Sequence, residues 1–106
     1  NGLLTSDARL KTDIKPLEGS SLEKVKQLTA KTYLWKDDLM GKGDKREIGL
    51  IAQEVAEVVP EVVSKMSKDA DTLGVAYTQL VPLLVEAVKE LSAKVESLEA
   101  QLMSKE

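Results

Sequence analysis

The chain has 106 residues, 42% hydrophobic and 31% charged, with a net charge of -3 and neither cysteine nor histidine. That length suits one compact body with a protruding element rather than two full cores. The missing residue types exclude disulfides, thiolate or imidazole metal sites and a histidine-based triad, while the acidic balance and scattered lysines give no attraction to nucleic acid.

Residues 3–15 show no clear period, and Lys15-Pro16 disfavours helix there, so this segment is predicted to be extended or irregular. A helix is predicted between Glu18 and Ala30, capped by Ser20 or Ser21, with Leu22, Val25 and Leu28 on one face. Thr32 to Trp35 reads as a strand, followed by the acidic pair Asp37-Asp38 and a flexible loop over Gly41-Lys42-Gly43-Asp44. Glu47 to Ile51 is expected to join the same sheet. Ala52, Val55, Ala56 and Val59 then mark a helix of about two turns that Pro60 ends.

Val62-Val63 and Leu73 to Tyr77 flank a polar stretch, Ser64 to Asp71, and read as a hairpin with a mobile loop. Thr78 is the expected cap of a final helix running to Glu106, with Pro82 in its first turns. Tyr33 and Trp35 are expected in the sheet and core, being too few for a base-stacking surface. No stretch approaches the roughly 18 to 20 apolar residues of a bilayer span, and the first residues lack the pattern of a signal peptide, so no membrane partner is expected. Gly41-Lys42-Gly43 lacks the Walker spacing, and no cofactor or metal is expected.

The final helix carries an unbroken heptad. Val81, Val88, Val95 and Leu102 take position a, and Tyr77, Leu84, Leu91 and Leu98 take position d. Beyond Ser92 the apolar residues fall almost only on these two positions, the narrow seam of a coiled coil rather than the wider stripe of a helix lying on its own body. Lys94 at g and Glu99 at e suit parallel chains. Nearer the body Leu80, Leu83, Val85 and Ala87 widen the stripe, so that half is expected to dock on the body or its neighbours. Valine at a with leucine at d favours two strands, so the heptad alone points to a dimer.

At the other end Ser6-Asp7-Ala8-Arg9-Leu10-Lys11 supplies a hydroxyl and an amine, the two parts of a self-activating nucleophile. A spacing of five puts them on opposite faces of a strand and about 140° apart on a helix, so only a turn or a neighbouring subunit can join them. Asp7 and Arg9 can form a surface ion pair worth under about 1 kcal/mol and fix the loop that presents Ser6. A serine in a turn and a solvated lysine are the ordinary roles of such residues, and Gln53 and Glu54 are either subunit contacts or the wet side of a helix.

Three ordered blocks carry a resemblance. They are Ser6-Asp7-x-Arg9-Leu10-Lys11, then Ile48 to Val55 followed by Pro60-Glu61, and then Tyr77-x-x-Leu80-x-Pro82-Leu83-Leu84-x-Glu86-Ala87-x-Lys89-Glu90-Leu91. From Ser6 to about Leu91 the chain resembles the C-terminal intramolecular chaperone domain of phage endosialidases, tailspikes and tail fibres, also found in myelin regulatory factor.

The resemblance implies a homotrimer that promotes folding of an upstream β-rich fibre segment in the host cytoplasm during virion assembly. It further implies release by a cut between Thr5 and Ser6, with Ser6 as nucleophile and Lys11 as general base. The expected fold is α+β: a small sheet with short helices in a body over residues 1–77, and a long helix over 78–106 forming a parallel trimeric coiled coil. A permanent cap that never cuts, or an oligomerisation and release domain of a regulatory protein, are the alternatives. A lysine serves as a base only when drying lowers its proton affinity, so cutting is expected to wait for assembly.

Overall fold

The computed structural model describes residues 3–36, 41 and 43–105. The predicted acidic pair Asp37-Asp38 and Lys42 of the predicted loop lie outside them. In chain order the elements are helix α1 (Ser21–Lys26), strands β1 (Lys31–Tyr33) and β2 (Glu47–Gly49), helix α2 (Ala52–Val58), strands β3 (Val63–Lys65) and β4 (Leu73–Val75), and helix α3 (Tyr77–Ser104). Single 3-10 turns occupy Ala8–Leu10 and Pro60–Val62.

Helix α1 begins where expected, because the Ser20 side chain accepts the Glu23 backbone N–H at 3.1 Å and so satisfies one orphan donor of the first turn. Its apolar residues face α3, and the small side chains of Ser21 and Ala87 are both buried. Helix α2 has no side-chain cap; Glu54 in its first turn suits the helix dipole, and Pro60 opens the 3-10 turn that follows.

The expected single sheet is instead two separate antiparallel ribbons. Lys31, Thr32 and Tyr33 of β1 pair with Gly49, Ile48 and Glu47 of β2, and β3 pairs with β4 from Val63 opposite Val75 to Lys65 opposite Leu73. Strands of three residues can each be closed by one neighbour, and α2 follows β2 directly, which carries the chain away before a third strand can form. Trp35 is not a core residue as expected. It lies beyond β1, 36% exposed, edge-on to Tyr33 with ring centroids 5.3 Å apart.

The core is small and aliphatic. Val55 of α2, Val59, Val62 and Leu80 and Leu83 of α3 are buried together, with the β3–β4 hairpin against α2. The first turns of α3 therefore belong to the body, as their wider apolar stripe suggested. The start of α3 differs from the expected Thr78 cap. Ala76 stands at the cap position with no side-chain cap bond, and Tyr77 is already helical. The tertiary anchor explains this: the Ala76 N–H is held by the Val62 carbonyl at 2.7 Å, and the Ala76 carbonyl accepts from the Gln79 N–H at 2.9 Å. Helix α3 has 28 residues, a rod of about 42 Å, and its far half extends past the core.

Candidate functional site

The described segment ahead of α1 is exposed, and it carries the 3-10 turn Ala8–Leu10. Asp7 caps it: one carboxylate oxygen accepts the Arg9 backbone N–H at 2.9 Å. The Arg9 guanidinium then grips the same carboxylate with both arms, Nε to Oδ1 at 3.1 Å and Nη2 to Oδ2 at 2.8 Å. Those side-chain bonds, helped by the backbone bond, hold the Asp7 carboxyl below the usual carboxylate range. The turn closes through Leu10 N–H to the Asp7 carbonyl at 3.0 Å and Lys11 N–H to the Ala8 carbonyl at 3.1 Å.

That reversal carries Lys11 Nζ to 2.8 Å from Ser6 Oγ, with the amine donating. Of the two routes the spacing left open, the turn is the one found, and proximity needs no second chain. Both side chains stand in solvent, and so do their apolar neighbours Leu3, Leu4, Leu10 and Ile14, the first 85% exposed. Thr5, on the other side of the bond before Ser6, is exposed as well.

A second feature lies along α3. Every residue of the expected seam is exposed, from 47% at Leu84 to 66% at Leu102, with Tyr77, Val81, Val88, Leu91, Val95 and Leu98 between. The body takes an adjacent face instead, burying Leu80, Leu83 and Ala87. The chain thus leaves an apolar stripe along the length of α3 in water.

Tyr77 does more than occupy a seam position. Its hydroxyl accepts the Leu50 backbone N–H at 2.8 Å, passing over Gly49, where an added Cβ would lie 3.0 Å from that oxygen. Sequence reasoning missed this strap; the available signal was a tyrosine in a valine and leucine seam, since a phenol seeks a partner. Glu54 pairs with Lys31 of its own chain at 2.5 Å, while Gln53 is exposed.

A groove of about 690 Å³ between Lys15–Leu17 and α3 is rimmed by Lys24, Glu61, Glu86 and Lys89 and includes neither Ser6 nor Lys11. Among the described residues no group of three or more His, Cys, Asp or Glu could hold a metal ion, and no helix is long and apolar enough to cross a membrane.

A capped turn that joins serine to lysine, followed by a small α+β body and a long helix, defines a class. The model of a peptidase family described as chaperone of endosialidase matches residues 6–64, and the chain belongs to that family.

Its relatives are tail fibre proteins. It is 40% identical over 105 residues to the long tail fiber protein Gp37 of Enterobacteria phage K3, covering 97% of this chain and 8% of that protein. The Gp37 of Enterobacteria phage Ox2 is 36% identical over 107 residues, 96% of this chain and 41% of the relative. A probable tail fiber protein of Escherichia phage Phieco32 is 36% identical over 104 residues, 94% of this chain and 14% of its own length. The chain thus spans less than half the length of each of these relatives.

Proposed function

We propose that this chain is the intramolecular chaperone segment of a phage tail fibre protein, that it works as a homotrimer, and that it releases itself by cutting between Thr5 and Ser6. The observation that carries the reading is the 2.8 Å approach of Lys11 Nζ to Ser6 Oγ, in a turn where the family match also begins. The tail fibre relatives support an upstream fibre segment of the same chain as the client.

The chemistry follows from the dyad. The Ser6 hydroxyl adds to the Thr5 carbonyl carbon while passing its proton to a neutral Lys11 amine. The bond from that carbon to the Ser6 nitrogen breaks, and the nitrogen takes the proton back from lysine. The acyl group is now an ester on Ser6 Oγ. Water, deprotonated by the same amine, hydrolyses it to a Thr5 carboxylate and a free Ser6 hydroxyl and amine. Each chain turns over once.

The resting hydrogen bond has the amine donating, and a base must instead accept, so the amine has to lose its charge first. Packing of neighbouring chains over Leu3, Leu4, Leu10 and Ile14 would dry the pair, so assembly would arm the cut.

A fibre needs such a device because its contacts are mostly non-local and interchain, and such chains fold slowly with open strand edges. Joining three chains through α3 raises their mutual concentration to the order of millimolar and sets their register. Removing the clamp afterwards leaves the fibre behind a kinetic barrier.

The test is a longer chain carrying upstream fibre sequence. Two fragments, the smaller beginning at Ser6, are expected from the parent, and a single intact chain from Ser6→Ala. A parent that trimerises yet stays whole would leave a permanent cap as the reading.

A further inference from the structure

The heptad of α3 fixes which flank of one helix meets which flank of the next. With Val81 and Val88 at a and Leu84 at d, Leu80 and Ala87 fall at g and Val85 at e. In a parallel, in-register bundle each g residue faces the e residue five places further along in its neighbour. Leu80 therefore faces Val85, Ala87 faces Ser92, and Lys94 faces Glu99. The pairs pass from apolar through small to oppositely charged as the helix leaves the body.

The two flanks of the first pair are unlike. Leu80 is turned onto its own body and forms one wall of a pocket of about 250 Å³, whose other walls include Val25 and Leu28 of α1, Leu50 and Leu84. Every lining side chain is aliphatic, so the pocket suits a branched aliphatic group. Val85 lies on the opposite side of the seam, about 140° round the helix from Leu80, and is 52% exposed.

The geometry points to this pocket as the socket for Val85 of the partner subunit, a second copy of this chain. The inference rests on the proposed trimer and narrows it to one contact per interface. It makes the body incomplete alone: α1 and Leu50 are covered from outside by the next chain, and the Tyr77 hydroxyl on the Leu50 backbone holds that wall in place. It also says where three chains are chosen over two. Apolar e and g positions beside a and d give the base of α3 the wide face of a bundle, whereas the far half has only the two-position seam.

The measurement is sedimentation equilibrium of the 106-residue chain, with helicity followed by circular dichroism. Val85→Glu should weaken association by at least about tenfold and Val85→Ala by a few-fold, because a charge or a void replaces the plug. Glu96→Lys, exposed at position b, should stay within about twofold of the parent. Val85 is exposed in the single chain, so helicity of the dilute variant should match the parent. The socket is overturned if Val85→Glu and Val85→Ala associate like the parent while Leu98→Glu, in the far seam, comes apart. A parent that stays monomeric at every concentration overturns the trimer reading, and the socket with it.

Discussion

Glu90 Oε2 accepts the Ser20 hydroxyl at 2.6 Å, joining residues 70 apart in the chain, and Glu90 Oε1 accepts the Ser21 backbone N–H at 2.7 Å. A carboxylate on α3 thereby caps α1, placing negative charge at the positive end of the short helix. The six residues of α1 are too few to be stable as an isolated helix, so this clasp and the apolar contact with α3 are what hold it.

The clasp gives a pH dependence. The Ser20 hydroxyl bond, with help from the Ser21 and Leu22 backbone N–H groups and the nearby Lys94 charge, holds the Glu90 carboxyl below the usual carboxylate range against an opposing desolvation. A lowered folded value means that the stabilisation is complete above the unfolded value of about 4.3 and is lost as pH falls through the folded one. Glu90→Gln should lower the melting temperature at pH 7, and the gap to the parent should shrink below about pH 4. A gap independent of pH would count against the clasp.

In a longer chain with upstream fibre sequence, Lys11→Ala and Lys11→Arg should both abolish cutting, since a guanidinium keeps its charge and cannot take the serine proton. Both should trimerise like the parent. Gel fragments and sedimentation read the two effects separately, and efficient cutting by Lys11→Arg would remove lysine from its assigned role.

Asp7→Ala removes the cap of the 3-10 turn and the anchor of Arg9, so Lys11 is no longer held over Ser6. Cutting should slow by about tenfold or more, the scale of losing an orienting contact, with association unchanged. Asp7→Asn keeps an acceptor for the Arg9 N–H and should fall between the two. The rate of fragment appearance is the observable.

Tyr77→Phe leaves the Leu50 N–H without its acceptor and should cost about 1 kcal/mol in denaturant unfolding. Gly49→Ala should cost a similar amount, because the new Cβ meets the hydroxyl at 3.0 Å. In the double variant the two losses should not add, since Phe removes the oxygen at 3.0 Å and leaves that Cβ the Tyr33 hydroxyl at 3.4 Å, an ordinary contact. Full additivity would argue that the two residues act apart.

Val55 is the most deeply buried aliphatic side chain among the described residues, 1% exposed at the centre of the core. Val55→Ala should cost about 2 kcal/mol at fixed chain concentration, from lost transfer energy and the void left behind. Ile48→Ala, at an 80% exposed position of β2, should change stability by less than about 0.5 kcal/mol.

The sequence by itself determined what depends on neighbours along the chain. The heptad from Tyr77 to Leu102, the Ser20 cap, the stop at Pro60 and the hairpin before α3 are all periodic or local signals, and the fold keeps each of them. The face of α3 that the body leaves free was legible for the same reason, because a stripe two positions wide differs from one that is wider.

Tertiary structure decided what depends on where distant backbones come to rest. Whether four strands make one sheet or two ribbons, and where α3 starts, were open because each turns on a hydrogen bond whose partner the local pattern does not name. Glu90 and Tyr77 show it most plainly: on the heptad one is an outer polar residue and the other a seam residue. Only the packing of α1 and β2 against α3 brings Ser20 and Leu50 within reach of their oxygens.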